Sequence, residues 1–153
     1  MCQHEGMDIS QHTQPDTLER YSFIWSEARL IVAAIALLLG GVPPILVLLP
    51  SIPLVFLFLK LAWIISGAAS GYLLYRWYTG GRKVFGGTDT KDVGAFFVSV
   101  ISGLNLGIVG LLGTNIGMSI FSGTVVFVAV AVLYVLAAWH LYQRWNARGQ
   151  KVF

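Results

Sequence analysis

Arg76-Trp-Tyr-Thr-Gly-Gly-Arg-Lys-Val-Phe-Gly-Gly-Thr-Asp-Thr-Lys-Asp92 is the only long polar stretch between residues 30 and 142. Apolar blocks of similar length flank it. Its first ten residues return at the end of the chain: Arg76-Trp-Tyr-Thr-Gly-Gly-Arg-Lys-Val-Phe85 aligns with Arg144-Trp-Asn-Ala-Arg-Gly-Gln-Lys-Val-Phe153, and six of ten positions are identical without a gap. Arginine and tryptophan are common where a helix leaves a membrane. The shared Gly, Lys, Val and Phe are not explained that way. The expected fold is an all-α integral membrane protein of four transmembrane helices. They form two helical hairpins in a parallel repeat, related by an axis along the membrane normal. The polar stretch is the seam between them.

Composition supports the membrane reading. Apolar residues make up 56% of the 153 and charged residues 11%, against about 45–50% and about 25% in soluble domains. The excess lies in runs long enough to span a bilayer. No basic patch interleaves with aromatics on a polar face, so nucleic acid is not an expected partner. Cys2 is the only cysteine, so no intramolecular disulfide can form. The chain opens Met-Cys-Gln-His-Glu without a basic leader, so the first span is expected to be retained.

Residues 1–15 read as a flexible cytoplasmic tail, followed by one transmembrane domain over 16–153. Asp16-Thr-Leu-Glu19 has the spacing of a capping box. Leu18, Tyr21 and Trp25 fall on one side of a short interfacial helix. The spans are expected at about 28–49, 54–78, 93–113 and 118–142, with a loop at 79–92. Gly40, Gly41, Pro43 and Pro44 should break the first span in its second half. Tyr72, Tyr75, Trp77 and Tyr78, and later Trp139, Tyr142 and Trp145, mark an interface.

Charge sets the orientation. Arg20 and Arg29 precede or open the first span. Arg76, Arg82, Lys83 and Lys91 occupy the central loop, and Arg144, Arg148 and Lys151 the C-terminal segment. Nine of ten basic residues thus fall on one side, and Lys60 lies within a span. The positive-inside rule puts both termini and the loop in the cytoplasm of a cell (inner) membrane protein. The seven basic residues of the loop and C-terminus act as topology determinants and lie where anionic headgroups attract them.

Polar residues within the spans are few. Lys60 shares a helical face with Gly67 and Gly71, and snorkelling to the outer headgroups competes with a buried role. Ser99, Gly103, Gly107 and Gly110 form a small-residue stripe suited to helix packing. Asn105 lies nearly opposite it, beside Ser102. An amide facing lipid leaves polar atoms unpaired, so the third span should contact protein or water on both sides, as the central helix of the bundle or in an oligomer. Lys60, Ser99, Ser102 and Asn105 are the candidates for a polar path or network. His140, His4, His12 and Cys2 make no convincing metal set, and no cofactor is expected. There is no paired intramembrane carboxylate, nucleophile set or phosphate loop, so an enzyme is not expected. The preferred function is a non-catalytic subunit, anchor or assembly factor in contact with lipid and with other membrane subunits or further copies of itself. The alternative is a small oligomeric channel or transporter for an anion or small solute, with Lys60 and Asn105 lining its path.

Overall fold

A computed structural model describes residues 15–50, 52–120 and 122–153. The expected tail lies outside these residues, apart from Pro15. Among the described residues the elements are six helices: α1 (Pro15–Leu38), α2 (Pro44–Leu48), α3 (Pro53–Thr79), α4 (Thr90–Leu112), α5 (Ile116–Ile120) and α6 (Thr124–Ala147). The four long ones are each long and apolar enough to cross a membrane. Their outward faces are apolar too: Phe58, Leu136 and Val125 are exposed. Soluble monomers rarely carry contiguous apolar surface on this scale. The chain is an all-α protein with the four long helices packed as a bundle, as a multi-pass membrane protein would be.

The first helix corrects two expectations. Among the described residues no separate interfacial helix precedes the first span, and that span does not run from 28 to 49. One continuous helix begins at Pro15, whose missing N–H costs nothing in the first turn, and ends at Leu38. Asp16 therefore sits inside the first turn instead of capping it. The stop is a pair of glycines. Gly40 (φ 73°) donates its N–H to Leu37, and Gly41 (φ 88°) donates to Ala36. This two-bond closure satisfies carbonyls left free at a helix end and needs a left-handed residue, which glycine adopts without strain. Pro43 and Pro44 then start the short α2.

The other helices have equally local causes. Pro53 opens α3 at a first-turn position. Asp89 caps α4, its side chain accepting the Lys91 N–H at 2.8 Å, and Gly113 (φ 72°) ends that helix.

Packing is most extensive between α3 and α4, then between α1 and α6. The pairs α1–α3 and α4–α6 share smaller and nearly equal contacts, and α1 also touches α4. Glycine permits the closest approach. A Cβ added to Gly67 on α3 would lie 2.6 Å from the Gly107 Cα on α4, and one added to Gly110 would lie 2.9 Å from the Ile64 backbone nitrogen. Backbones in contact replace a lost hydrophobic drive with dispersion, which is how helices associate in lipid. Gly71, expected on the same packing face, has nothing within 4 Å of such a Cβ.

The basic end, carrying the 80–89 loop and the C-terminal residues, has an aromatic core. Phe23, Leu73, Phe96, Val100, Leu141 and Trp145 come from the four long helices, and Val84, Phe85 and Val152 fold in from the segments that follow α3 and α6. Those two segments have the same backbone. Gly80 and Arg148 cap their helices by donating to Arg76 and Arg144. Gly81 and Gly149 then take φ of 80° and 63°, and Arg82 and Gln150 take 61° and 67°. Arg82 N–H donates to Trp77 at 2.9 Å, and Gln150 N–H to Trp145 at 3.0 Å. The two segments also meet, Phe85 N–H donating to the Val152 carbonyl at 2.6 Å.

Candidate functional site

Arg29 is the fifteenth of 24 residues in α1, about 21 Å along a helix that rises 1.5 Å per residue. It is 7% exposed. Its Nη1 donates to Ser102 Oγ at 2.9 Å. Its Nη2 donates to the Ser99 carbonyl at 2.8 Å and to Ser99 Oγ at 3.3 Å. Ser99 and Ser102 are three residues apart on α4, so they share a face and reach the same guanidinium. Gly103 makes room for it: an added Cβ there would stand 3.1 Å from Arg29 Cζ and run into the Ser70 side chain. Beside this group, Trp25 Nε1 donates to Ser66 Oγ at 3.0 Å, and Ser66 in turn donates to the Ala62 carbonyl.

Three bonds leave two of the five guanidinium N–H donors. Nε has no hydrogen-bond partner, and among the described residues no carboxylate forms an ion pair with Arg29. Glu27, two positions earlier on α1, also has both carboxylate oxygens buried without a partner. The two side chains act on each other electrostatically without forming a direct ion pair.

A cavity of about 280 Å³ lies between Arg29 and the end of the bundle opposite the basic loop. Arg29, Ser102 and Tyr134 are polar groups in its wall. Val32, Leu59, Leu106, Val109, Val126 and Phe127 are among its apolar lining, and Pro43, Pro44 and Met118 belong to the elbow after α1 and to α5. Asn105 and Asn115 also line it. Asn105 Nδ2 donates to Asn115 Oδ1 at 2.9 Å, and Asn105 Oδ1 accepts the Gly117 N–H at 3.1 Å. The amide is thus satisfied within the protein and ties α4 to α5.

Of the four residues expected to form a polar network, Ser102 and Asn105 line the cavity. Ser99 holds the Nη2 side of Arg29 and is not part of the lining. Lys60 stands apart from them: its side chain is exposed on α3 and does not line the cavity, while its carbonyl packs near Gly110.

Sequence reasoning missed Arg29. Placing the first span at 28 put it at the membrane boundary, among the topology charges. A signal was available. Asp16-Thr17-x-Glu19-x₃-Phe23-x₂-Ser26 matches Asp89-Thr90-x-Asp92-x₃-Phe96-x₂-Ser99. Extending that register sets Arg29 against Ser102, deep in the third span.

At the basic end two arginines pair with carboxylates. Arg76 donates Nε and Nη2 to Glu19 Oε2 at 3.1 and 2.8 Å, and Glu19 Oε1 accepts the N–H groups of Val152 and Phe153 at 3.3 and 3.1 Å. Arg144 makes a two-pronged contact with Asp92 through Nε and Nη2, and His140 Nε2 lies 2.8 Å from Asp92 Oδ1. Arg76 and Arg144, read from sequence as topology charges, therefore also tie the last turn of one long helix to the first turns of another. Among the described residues no group of three or more His, Cys, Asp or Glu is placed to hold a metal.

Comparison with protein-family models, with curated proteins and with solved structures finds no match to this chain.

Proposed function

We propose that this protein is a non-catalytic subunit, anchor or assembly factor of a membrane complex, with its basic end in the cytoplasm. The observation that carries the reading is the aromatic core at that end, with Arg76 and Arg144 engaged by carboxylates. Among the described residues, side chains from all four long helices meet in that core, which suits a structural bundle. A firm bundle with an apolar outer surface suits lateral association with other membrane subunits or with further copies of itself. The orientation rests on the basic residues gathered at one end.

The architecture is proposed as a duplication. Two matched sequence segments, equal backbone turns after α3 and α6, and paired acid–arginine ties support it. So does the packing, in which exchanging α1 with α4 and α3 with α6 returns the same contacting pairs of helices, with α3–α4 the more extensive of its pair. Such a relation is a two-fold axis along the bundle, the form of a parallel repeat.

Purification from the native membrane in mild detergent tests the functional reading. A stoichiometric membrane partner is the expected result, and recovery as a lone monomer would overturn it. The cavity favours a second reading, an oligomeric channel or transporter for an anion or small solute. Its Arg29, Ser102 and Asn105 form one half of a polar route. That reading requires flux in proteoliposomes, reduced by Arg29→Gln, and it fails if a broad panel of ions and small solutes shows none.

A further inference from the structure

Arg29 poses a chemical question that the subunit reading leaves open. A guanidinium near the middle of a membrane helix is costly unless paired or hydrated. Here it is held rigidly by two serines, has a nitrogen without a partner and forms no ion pair among the described residues. It stands in the wall of a cavity whose remaining lining is largely aliphatic and aromatic. A cation at one end of an apolar chamber is complementary to an anion that carries an apolar tail.

We infer that this cavity is a binding site for a single-chain aliphatic carboxylate, its headgroup on Arg29 and Ser102 and its chain between Leu59, Val109, Val126 and Phe127. The charge calls for an anion. Guanidinium is well suited to a carboxylate, binding it by charge-assisted hydrogen bonds. Tyr134, also in the lining, brings a hydroxyl to the same chamber. The space is partly open and offers about 280 Å³, room for a medium-length chain. The inference goes beyond the proposed function, because an anchor or subunit can hold such a ligand without transforming it.

The test uses full-length protein in nanodiscs of zwitterionic lipid, titrated with decanoate carrying a ¹³C carboxyl label. Saturable binding of one decanoate per chain is expected, with a shifted carboxyl resonance. Methyl decanoate should bind at least tenfold more weakly, since it has the same chain without the charge. Arg29→Gln should lose at least tenfold in decanoate affinity. Val130→Trp narrows the chamber without touching Arg29 and should also lose binding, so a folding defect confined to one variant does not decide the outcome. Equal affinity for acid and methyl ester overturns the proposal, leaving an apolar pocket that ignores charge. Binding of decyl phosphate but not decanoate overturns it in favour of a phosphate headgroup. Absence of decanoate binding by the unaltered protein overturns it outright. None of these results depends on whether a partner subunit is recovered in the purification experiment.

Discussion

Glu19 joins three separated parts of the chain with one carboxylate. One oxygen takes Arg76 and the other takes two backbone N–H groups near the C-terminus. Glu19→Ala removes the acceptor for those N–H groups. An orphaned buried donor costs about 1–3 kcal/mol, so a fall in Tm of roughly 2 °C or more is expected in detergent micelles. Glu19→Gln keeps an acceptor and should fall less. Equal losses for the two variants would show that the amide, although it keeps an acceptor, cannot take over the carboxylate's contacts. Gly103 is the corresponding position beside Arg29. Gly103→Ala forces a methyl group against Ser70 and Arg29. Overpacking of this kind costs about 1–3 kcal/mol, and unfolding in micelles measures it. An unchanged midpoint would mean that the Ser70 and Arg29 side chains move aside freely.

At the scale of elements, the contact between α3 and α4 depends on two glycines facing each other. Gly67→Ala puts a methyl within 2.6 Å of the opposite backbone, so the helices must separate. A loss of about 1–3 kcal/mol is expected. Gly71→Ala provides the control on the same helix. It meets nothing within 4 Å, and alanine is favoured over glycine in a helix interior by about 1 kcal/mol. It should be neutral or stabilising by the same assay, and a loss as large as that of Gly67→Ala would contradict the close-approach account. Both glycines lie on the face that the sequence marks for packing. Their different surroundings arise because the seam with α4 runs from Gly67 to Ser70, which meets Gly103, and leaves Gly71 to one side.

For the whole molecule, the seam at residues 86–88 separates two halves whose largest shared surfaces, α3 with α4 and α1 with α6, cross between them. Fragments 1–87 and 88–153, expressed together, should therefore insert and copurify. Independent recovery of the two fragments would show that the cross-half contacts do not hold the bundle. A reporter placed at residue 88 and another at the C-terminus should register on the same side of the membrane, the cytoplasmic one. Opposite signals would overturn the bundle topology, and a shared signal from the other side would overturn only its orientation.

The sequence by itself determined the class of fold, because runs of apolar residues longer than 20 positions have one stable form in a bilayer. It also marked breaks at Gly40–Pro44, before Pro53 and in a loop set at 79–92, where the structure has 80–89, since proline and glycine act through their own backbone chemistry. The repeated Arg-Trp and Lys-Val-Phe segment was legible for the same local reason. Tertiary structure decided that the leader helix and the first span are one continuous helix, because its turns up to Arg29 carry charges that a hydropathy reading assigns to water. Glu19 and Arg29 are there accommodated by Arg76, by backbone N–H groups and by two serines from distant parts of the chain. It also decided that Arg29 is held inside the bundle and Lys60 is not. A side chain's environment depends on which helices surround it, and that arrangement is set by contacts between residues 70 or more positions apart.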